Sequence, residues 1–384
     1  IYPKLKYHFQ FTNELKLFAE VDHHTGYSLN VYNNKENSEF ESISNLFAVE
    51  TIEQCYDSSI TGNIPGIKDE NGKWNIHGHP GRVVHVGKKE LELFAKLFDD
   101  SDNWSQARLP VVHAQALIDV LFCFINQKYT IASIPDSILC SEMWHEKNNQ
   151  SDGTIDRNVH FPESLVDSII SGPHIGVGNP LFKTSRRICK VNSDYDVIDL
   201  SNVSADYIAR CNYSISCSLE DYHNREPITT WNEKYADLYR LCLRKMLNQS
   251  GERTMISAII PPRVEHINGI FGMAFKNDLI IFAGTTYSIP FDFFIKTTGK
   301  QNINYSALSG LPVLKESMYS NEISIRTLLL NCMSAYFSAL WNENWDNAFV
   351  TIKWSKSDPF LRPDKRMDMG HTFAYRLRTQ TGTC

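Results

Sequence analysis

Several features that would fix a function at once are missing. No apolar run approaches the roughly 18–20 residues that span a bilayer, and no signal-peptide pattern is visible, so a membrane role is not expected. None of the nine cysteines forms a Cys-x-x-Cys pair. Their odd number and scatter argue against a zinc knuckle and fit a reducing, cytoplasmic setting. Internal repeats and low-complexity tracts are absent, which excludes a solenoid or a disordered array. Positive charge is not in excess: 38 Lys and Arg stand against 44 Asp and Glu, a net −6. Over the whole chain that is poor ground for a nucleic-acid binder.

What is present is an ordinary globular composition, 42% hydrophobic and 21% charged, with 21 Phe, 17 Tyr and 7 Trp to fill a core. A length of 384 residues suggests two or three domains. The charge is unevenly distributed. Lys183, Arg186 and Arg187 lie together without an acid, and residues 353–378 carry seven cations against three acids. A basic face on an acidic body is one reading; a solvated surface of mixed charge is the other. The chain opens inside a structured pattern and is expected to be a piece of a longer polypeptide.

The patterning points to a mixed α/β or α+β fold. "LKLFAEV" and "YSLNVY" around the turn "DHHTG" suggest a hairpin within residues 5–32, and residues 40–57 suggest a helix. Residues 60–82, rich in Gly, Pro and Asn, suggest a boundary. "RVVHV" reads as a strand, and residues 88–100 and 111–128 as helices. Apolar spacing from Trp231 to Met246 predicts a helix over 229–247; residues 253–262 predict a buried strand, and 324–341 a long helix.

Chemical signatures are thin. In "SGPHIGVGNPLFKTSRR" (171–187), Gly176 and Gly178 begin a dinucleotide-type glycine pattern, but Leu181 stands where its third glycine belongs. Lys183-Thr184 lacks the glycine of a Walker loop. "GNPLF" approaches the Asn-Pro-Pro-aromatic motif of adenine methyltransferases, yet Leu181 replaces the second proline, so catalysis by Asn179 and Phe182 is not expected. The histidines of "DHH" (22–24) and "HGH" (77–79) read as turn residues, and His113 as a satisfied helix histidine. No nucleophile elbow or metal spacing is present. "LFKTSRR" suits phosphate contact, with an unliganded basic loop as the plain alternative.

Taken together, "FTNELKLFAEVDHHTGYSLNVY", "GPHIGVGNPLFKTSRR", "DYDVIDLSNVSADYIARCNY", "LRKMLNQSGERTMISAIIPP" and "SIPFDFFIKTTGKQNINYSALSGLPVL" resemble the C-terminal half of large single-chain adenine DNA methyltransferases of bacterial restriction–modification and phage-defence systems. The resemblance covers about residues 1–345. It implies the tail of a methyltransferase catalytic domain in residues 1–60, with an edge hairpin and helix, then a mainly helical connection in 61–165 and a mixed α/β target-recognition domain in 166–384. It implies double-stranded DNA as partner, with a methyltransferase domain preceding this segment and helicase or nuclease partners beyond it. S-adenosylmethionine is implied for the full-length enzyme and no cofactor for this segment, which lacks the catalytic motifs. The implied DNA contacts are Lys183, Thr184, Arg186 and Arg187 on phosphates, and Lys300, Gln301, Asn302 and Asn304 near base edges. Arg244, Arg253, Arg263, His266 and Asn268 form a second polar cluster. A protein-binding scaffold of a defence complex remains the alternative.

Overall fold

A computed structural model describes residues 1–352 apart from Asp100, Ser201, Ser250 and Glu316; the basic segment 353–378 lies outside the described residues. The fold is mixed α/β with several small sheets. It divides into two compact units: residues 1–128 with 293–299, and residues 129–292 with 300–384. The sequence suggested breaks near 60 and 165.

In the first unit, β1 (Leu5–Thr12), β2 (Gly26–Tyr32), β3 (Glu39–Leu46) and β4 (Val84–Gly87) form a sheet in the order β2-β1-β3-β4. The pair β1/β3 is parallel and the others antiparallel. The returning strand of the expected hairpin is found, but its partner is β1, not "LKLFAEV". Buried Asn13 is the reason. Its side-chain amide donates to the carbonyls of Phe18 (2.8 Å) and Val21 (3.0 Å) and accepts from the Phe18 amide, so residues 13–21 close on themselves as a loop. Residues 40–57 are β3 followed by the short helix α1 (Glu50–Cys55), not one helix. Helices α2 (Lys88–Asp99) and α3 (Ala116–Ile125) form where the 3.6-residue apolar repeat indicates. The rings of Phe98 and Phe124 pack at a tilt against Phe294.

In the second unit the strands are β5 (Ile138–Ser141), β6 (Ile155–Asp156), β7 (Ile169–Ile170), β8 (Lys183–Ser185), β9 (Tyr195–Val197), β10 (Ser214–Ile215), β11 (Arg240–Arg244), β12 (Ser257–Ile260), β13 (Glu265–His266) and β14 (Ile270–Phe275). The central sheet runs β12-β11-β14-β5, all antiparallel. Every residue of β12 and β14 is buried. With both faces covered, the strands read as continuous apolar runs, which is why 229–247 looked helical; it is a turn, a 3-10 turn and β11. The remaining helices are α4 (Glu146–Ser151), α5 (Leu219–Asn224), α6 (Leu279–Thr286), α7 (Ile289–Thr297, whose residues from Phe293 on belong to the first unit), α8 (Tyr305–Leu308), α9 (Ser320–Asn331) and α10 (Ser338–Asn344). The expected helix 324–341 is broken after Asn331, whose side chain receives the Ile259 amide of β12 at 2.8 Å. Gly284 lets α6 approach α9, since a Cβ there would collide with the Thr327 hydroxyl. Among the described residues no single helix is long and apolar enough to cross a membrane.

Candidate functional site

The segment 171–187 is built from the inside out. Ser171 begins a 3-10 turn that returns His174 onto it: the Ser171 amide donates to His174 Nδ1 at 3.0 Å, and His174 Nε2 meets the Arg210 carbonyl at 3.0 Å. The imidazole is fully buried, and desolvation holds it below its ordinary pKa. Gly178 takes φ 62° in the tight turn that follows. Asn179 accepts from the Leu181 amide at 2.9 Å, an Asx turn, so its side chain is a structural brace. The Phe182 ring packs over Gly176, with the Arg244 guanidinium 5.5 Å and the Lys183 ammonium 5.2 Å from its centre. A Cβ on Gly176 would meet Phe182 at 3.0 Å, and one on Gly178 would meet Leu330 at 3.0 Å. The glycine turn is packed against the side chains of Phe182, Leu330 and Tyr287.

The cations follow on the β8–β9 hairpin, registered Lys183↔Val197, Thr184↔Asp196 and Ser185↔Tyr195. Lys183 is half-buried, and Thr184 accepts the Arg210 amide at 2.9 Å. Arg186 is exposed but pairs with Asp196 at 2.8 Å. Arg187 is exposed and has no partner among the described residues. The turn is pinned by Asp194, whose carboxylate accepts the amides of Lys190 (2.9 Å) and Val191 (3.0 Å); those bonds lower its pKa. Arg157 donates to the Lys190 carbonyl at 2.9 Å while facing Glu146 at 3.7 Å. Arg210 lies over the Phe161 ring at 4.2 Å. Arg157, Lys190 and Arg210 therefore join the cations recognised in the sequence. Lys190 could have been read from "RRICK"; Arg157 and Arg210 are brought in by the fold alone.

The second polar cluster is engaged within the fold. Arg244 donates from Nε and Nη2 to the Ile175 carbonyl (3.0 and 2.5 Å). Arg253 ties the α6–α7 junction, donating to the Tyr287 carbonyl at 2.9 Å and facing Asp292 at 3.4 Å. Arg263 pairs with Asp237 and lies 3.6 Å from Glu226. His266 is fully buried on Tyr235 (3.2 Å), and burial followed by the Arg240 charge lowers it to about 3. Asn268 receives the Glu146 amide at 3.0 Å. These groups satisfy backbone and buried acids, and His266 is closed to any ligand.

The loop after α7 divides differently. Asn304 caps α8 by accepting the Ala307 amide at 3.0 Å, and the Lys300 ammonium donates to Ser306 at 2.8 Å. Gln301 and Asn302 are exposed, their side-chain amides without partners among the described residues. The loop runs antiparallel to the chain leaving β11: the Leu247 amide donates to the Gln301 carbonyl, and the Ile303 amide to the Lys245 carbonyl, both at 2.8 Å. Arg244, one residue before, holds Ile175 and Phe182. Two segments more than a hundred residues apart in sequence thus meet at the C-terminal end of β11.

A buried acid network escaped the sequence. Glu226 and Glu265 are both buried. Glu265 accepts from Trp144 Nε1; burial, with the Glu226 charge adding to it, pushes its pKa up to about 8. His223 Nδ1 lies 2.5 Å from Glu226, and the three ligand atoms of His223, Glu226 and Glu265 fall within 4.8 Å of one another. That set could hold a cation, but Lys234 (3.7 Å) and Arg263 (3.6 Å) already supply positive charge to Glu226. Glu14, His23 and His24 form a looser surface group, with His24 Nδ1 3.1 Å from Glu14. No protein-family model matches the chain, and no curated protein matches it.

Proposed function

We propose that this chain is the DNA-recognition portion of an adenine-specific DNA methyltransferase. The observation that carries the reading is the meeting at the end of β11. Arg244 bonds the Ile175 carbonyl and lies over the ring of Phe182, the residue that leads into the basic hairpin at 183–197, and the 245–247 backbone holds the amide-bearing loop at 300–304. Phosphate contacts position a protein on a duplex, and base-edge contacts specify sequence. Lys183, Arg187 and Lys190 suit the first task. Gln301 and Asn302 suit the second, because amides pair with adenine N6 and N7. Methyl transfer from S-adenosylmethionine belongs to the full-length enzyme; no step of it is assigned to residues of this chain.

A second reading rests on the first unit. β2 is an edge strand that exposes Leu29, Val31 and Tyr32, and the neighbouring loop exposes Leu17 and Phe18. Open apolar edges suit protein partners, so a scaffold of a defence complex is the alternative.

Selection decides between them. The chain is mixed with a random-sequence duplex pool at two salt concentrations, and the retained DNA is sequenced. A short motif that survives higher salt is the expected result. Retention at neither salt, with salt-insensitive capture of a helicase or nuclease partner, overturns the reading in favour of the scaffold.

A further inference from the structure

Residues 186–194, the tip of the β8–β9 hairpin, sort into two kinds. Cys189 is buried and fixes the tip to the body of the unit. Ile188 and Val191 flank it and are 71% and 58% exposed. A single exposed aliphatic residue on a loop is ordinary. These two sit on a loop held at several points: Asp194 accepts the amides of Lys190 and Val191, Arg157 donates to the carbonyls of Cys189 and Lys190, and the Arg186 amide donates to the Asp194 carbonyl at 2.9 Å. The backbone that carries these apolar side chains is therefore tied at several points while the side chains stand exposed. Exposed Arg187 and Lys190 stand beside them. The two acids of the hairpin are engaged, Asp194 with the turn amides and Asp196 with Arg186.

We propose that this tip is an apolar wedge for duplex DNA. Ile188, backed by Val191, enters between two stacked base pairs while Arg187 and Lys190 hold the phosphates on either side. The inference rests on the DNA-binding reading above. A two-stranded ribbon is narrow enough to enter a groove. Apolar side chains pressed between base steps unstack and kink the duplex. The cost is lowest at pyrimidine–purine steps, where stacking is weakest. A base that must leave the helix loses a stacking neighbour when such a step opens, which suits chemistry on an extruded base.

The test uses the full 384-residue chain and short duplexes from the retained pool, with 2-aminopurine placed at each pyrimidine–purine step in turn. Anisotropy reports binding, and 2-aminopurine emission reports unstacking. The expected result is a rise in emission at one step on binding. Ile188→Ala should abolish the rise and weaken binding by about tenfold at most, the loss of one partly buried aliphatic side chain. Ile188→Phe should keep the rise. Because Ile188 is exposed, neither variant endangers the fold. If the unaltered chain binds duplex while emission changes at no step, or Ile188→Ala keeps the rise, the wedge is wrong and the DNA reading stands. If the chain binds no duplex at either salt, both fall together.

Discussion

Each unit closes around one fully buried arginine, and the two arginines are solvated differently. In the first unit Arg82 donates to the carbonyls of His77, Ser44 and Asn45 at 2.9–3.1 Å, with no carboxylate paired to it among the described residues. Desolvation lowers its pKa. In the second unit Arg240 donates to the carbonyls of Leu238, Pro261 and Val264, and its charge also acts on Glu265 and His266. Backbone dipoles suffice to hold a guanidinium inside the small four-stranded sheet. Each arginine also bears on a buried histidine, Arg82 on His113 and Arg240 on His266, and the larger core adds an acid, Glu265, that titrates in the opposite sense.

The largest expected effect breaks that comparison directly. Arg240→Met leaves the buried carbonyls of Pro261 and Val264 and the half-buried one of Leu238 without this donor, for a loss of about 4 kcal/mol. Arg82→Met orphans one buried carbonyl, that of Ser44, while those of exposed His77 and half-buried Asn45 can turn to water, for about 2 kcal/mol. Urea denaturation of the two variants measures the difference. Losses in the reverse order would mean that burial of the orphaned carbonyls does not set the cost.

Glycines sharpen the same contrast. A Cβ on Gly272 of β14 would collide with the Tyr235 hydroxyl and sit 2.7 Å from His266 Nε2. Gly272→Ala should cost about 3 kcal/mol, the upper range for overpacking a close-packed core. At the head of β2, a Cβ on Gly26 meets nothing nearer than 3.7 Å, so Gly26→Ala should stay within about 0.5 kcal/mol of the parent. Thermal midpoints separate the two.

The pH dependence follows from opposite shifts. Folded Glu265 keeps its proton to about 8, whereas an ordinary glutamate releases it near 4.5. Its contribution is full below 4.5 and is lost as pH rises through 8. His266 and His113 are lowered from 6.5 to about 3 and about 4. Their contributions are full above 6.5 and are lost as pH falls through those values. The first unit thus has the acid limb, through His113, and the second has both limbs. Stability should peak near about pH 6, and Glu265→Gln should flatten the decline between pH 6 and 8. Denaturation midpoints across pH 4–9 check it; an unchanged decline in the variant would assign it to another group.

How much of this was legible beforehand depended on burial. Helices α2 and α3 show one apolar face, and the 3.6 period found them. β11 is covered on both sides, so Arg240–Arg244 carried no alternation and passed for a helix. The "LKLFAEV" strand failed because one buried amide, Asn13, captures the backbone groups a strand would need. The basic run at 183–187 was legible because cations without nearby acids in sequence stood out. Arg244, Arg253, Arg263 and His266 looked equally polar, and only the fold shows that carbonyls and buried acids occupy them. The Glu226–Glu265 pair is 39 residues apart in sequence and had no local signature at all.

The smallest expected effect distinguishes two adjacent arginines. Arg186 is held by Asp196 at 2.8 Å and Arg187 by nothing described. An exposed ion pair contributes little to stability, so neither replacement should move the denaturation midpoint measurably. Their effects on duplex affinity should differ. A free guanidinium that neutralises one phosphate releases about one counterion, so Arg187→Ala should lower the slope of log affinity against log salt by about one. Arg186 must first give up Asp196, and removing it also leaves that carboxylate uncompensated beside the DNA. Arg186→Ala should therefore weaken binding mainly through repulsion, and Arg186→Ala combined with Asp196→Asn should recover most of the loss. If the two single variants behave alike and the double variant recovers nothing, the Arg186–Asp196 pair opens on binding, and the hairpin presents both arginines to phosphate.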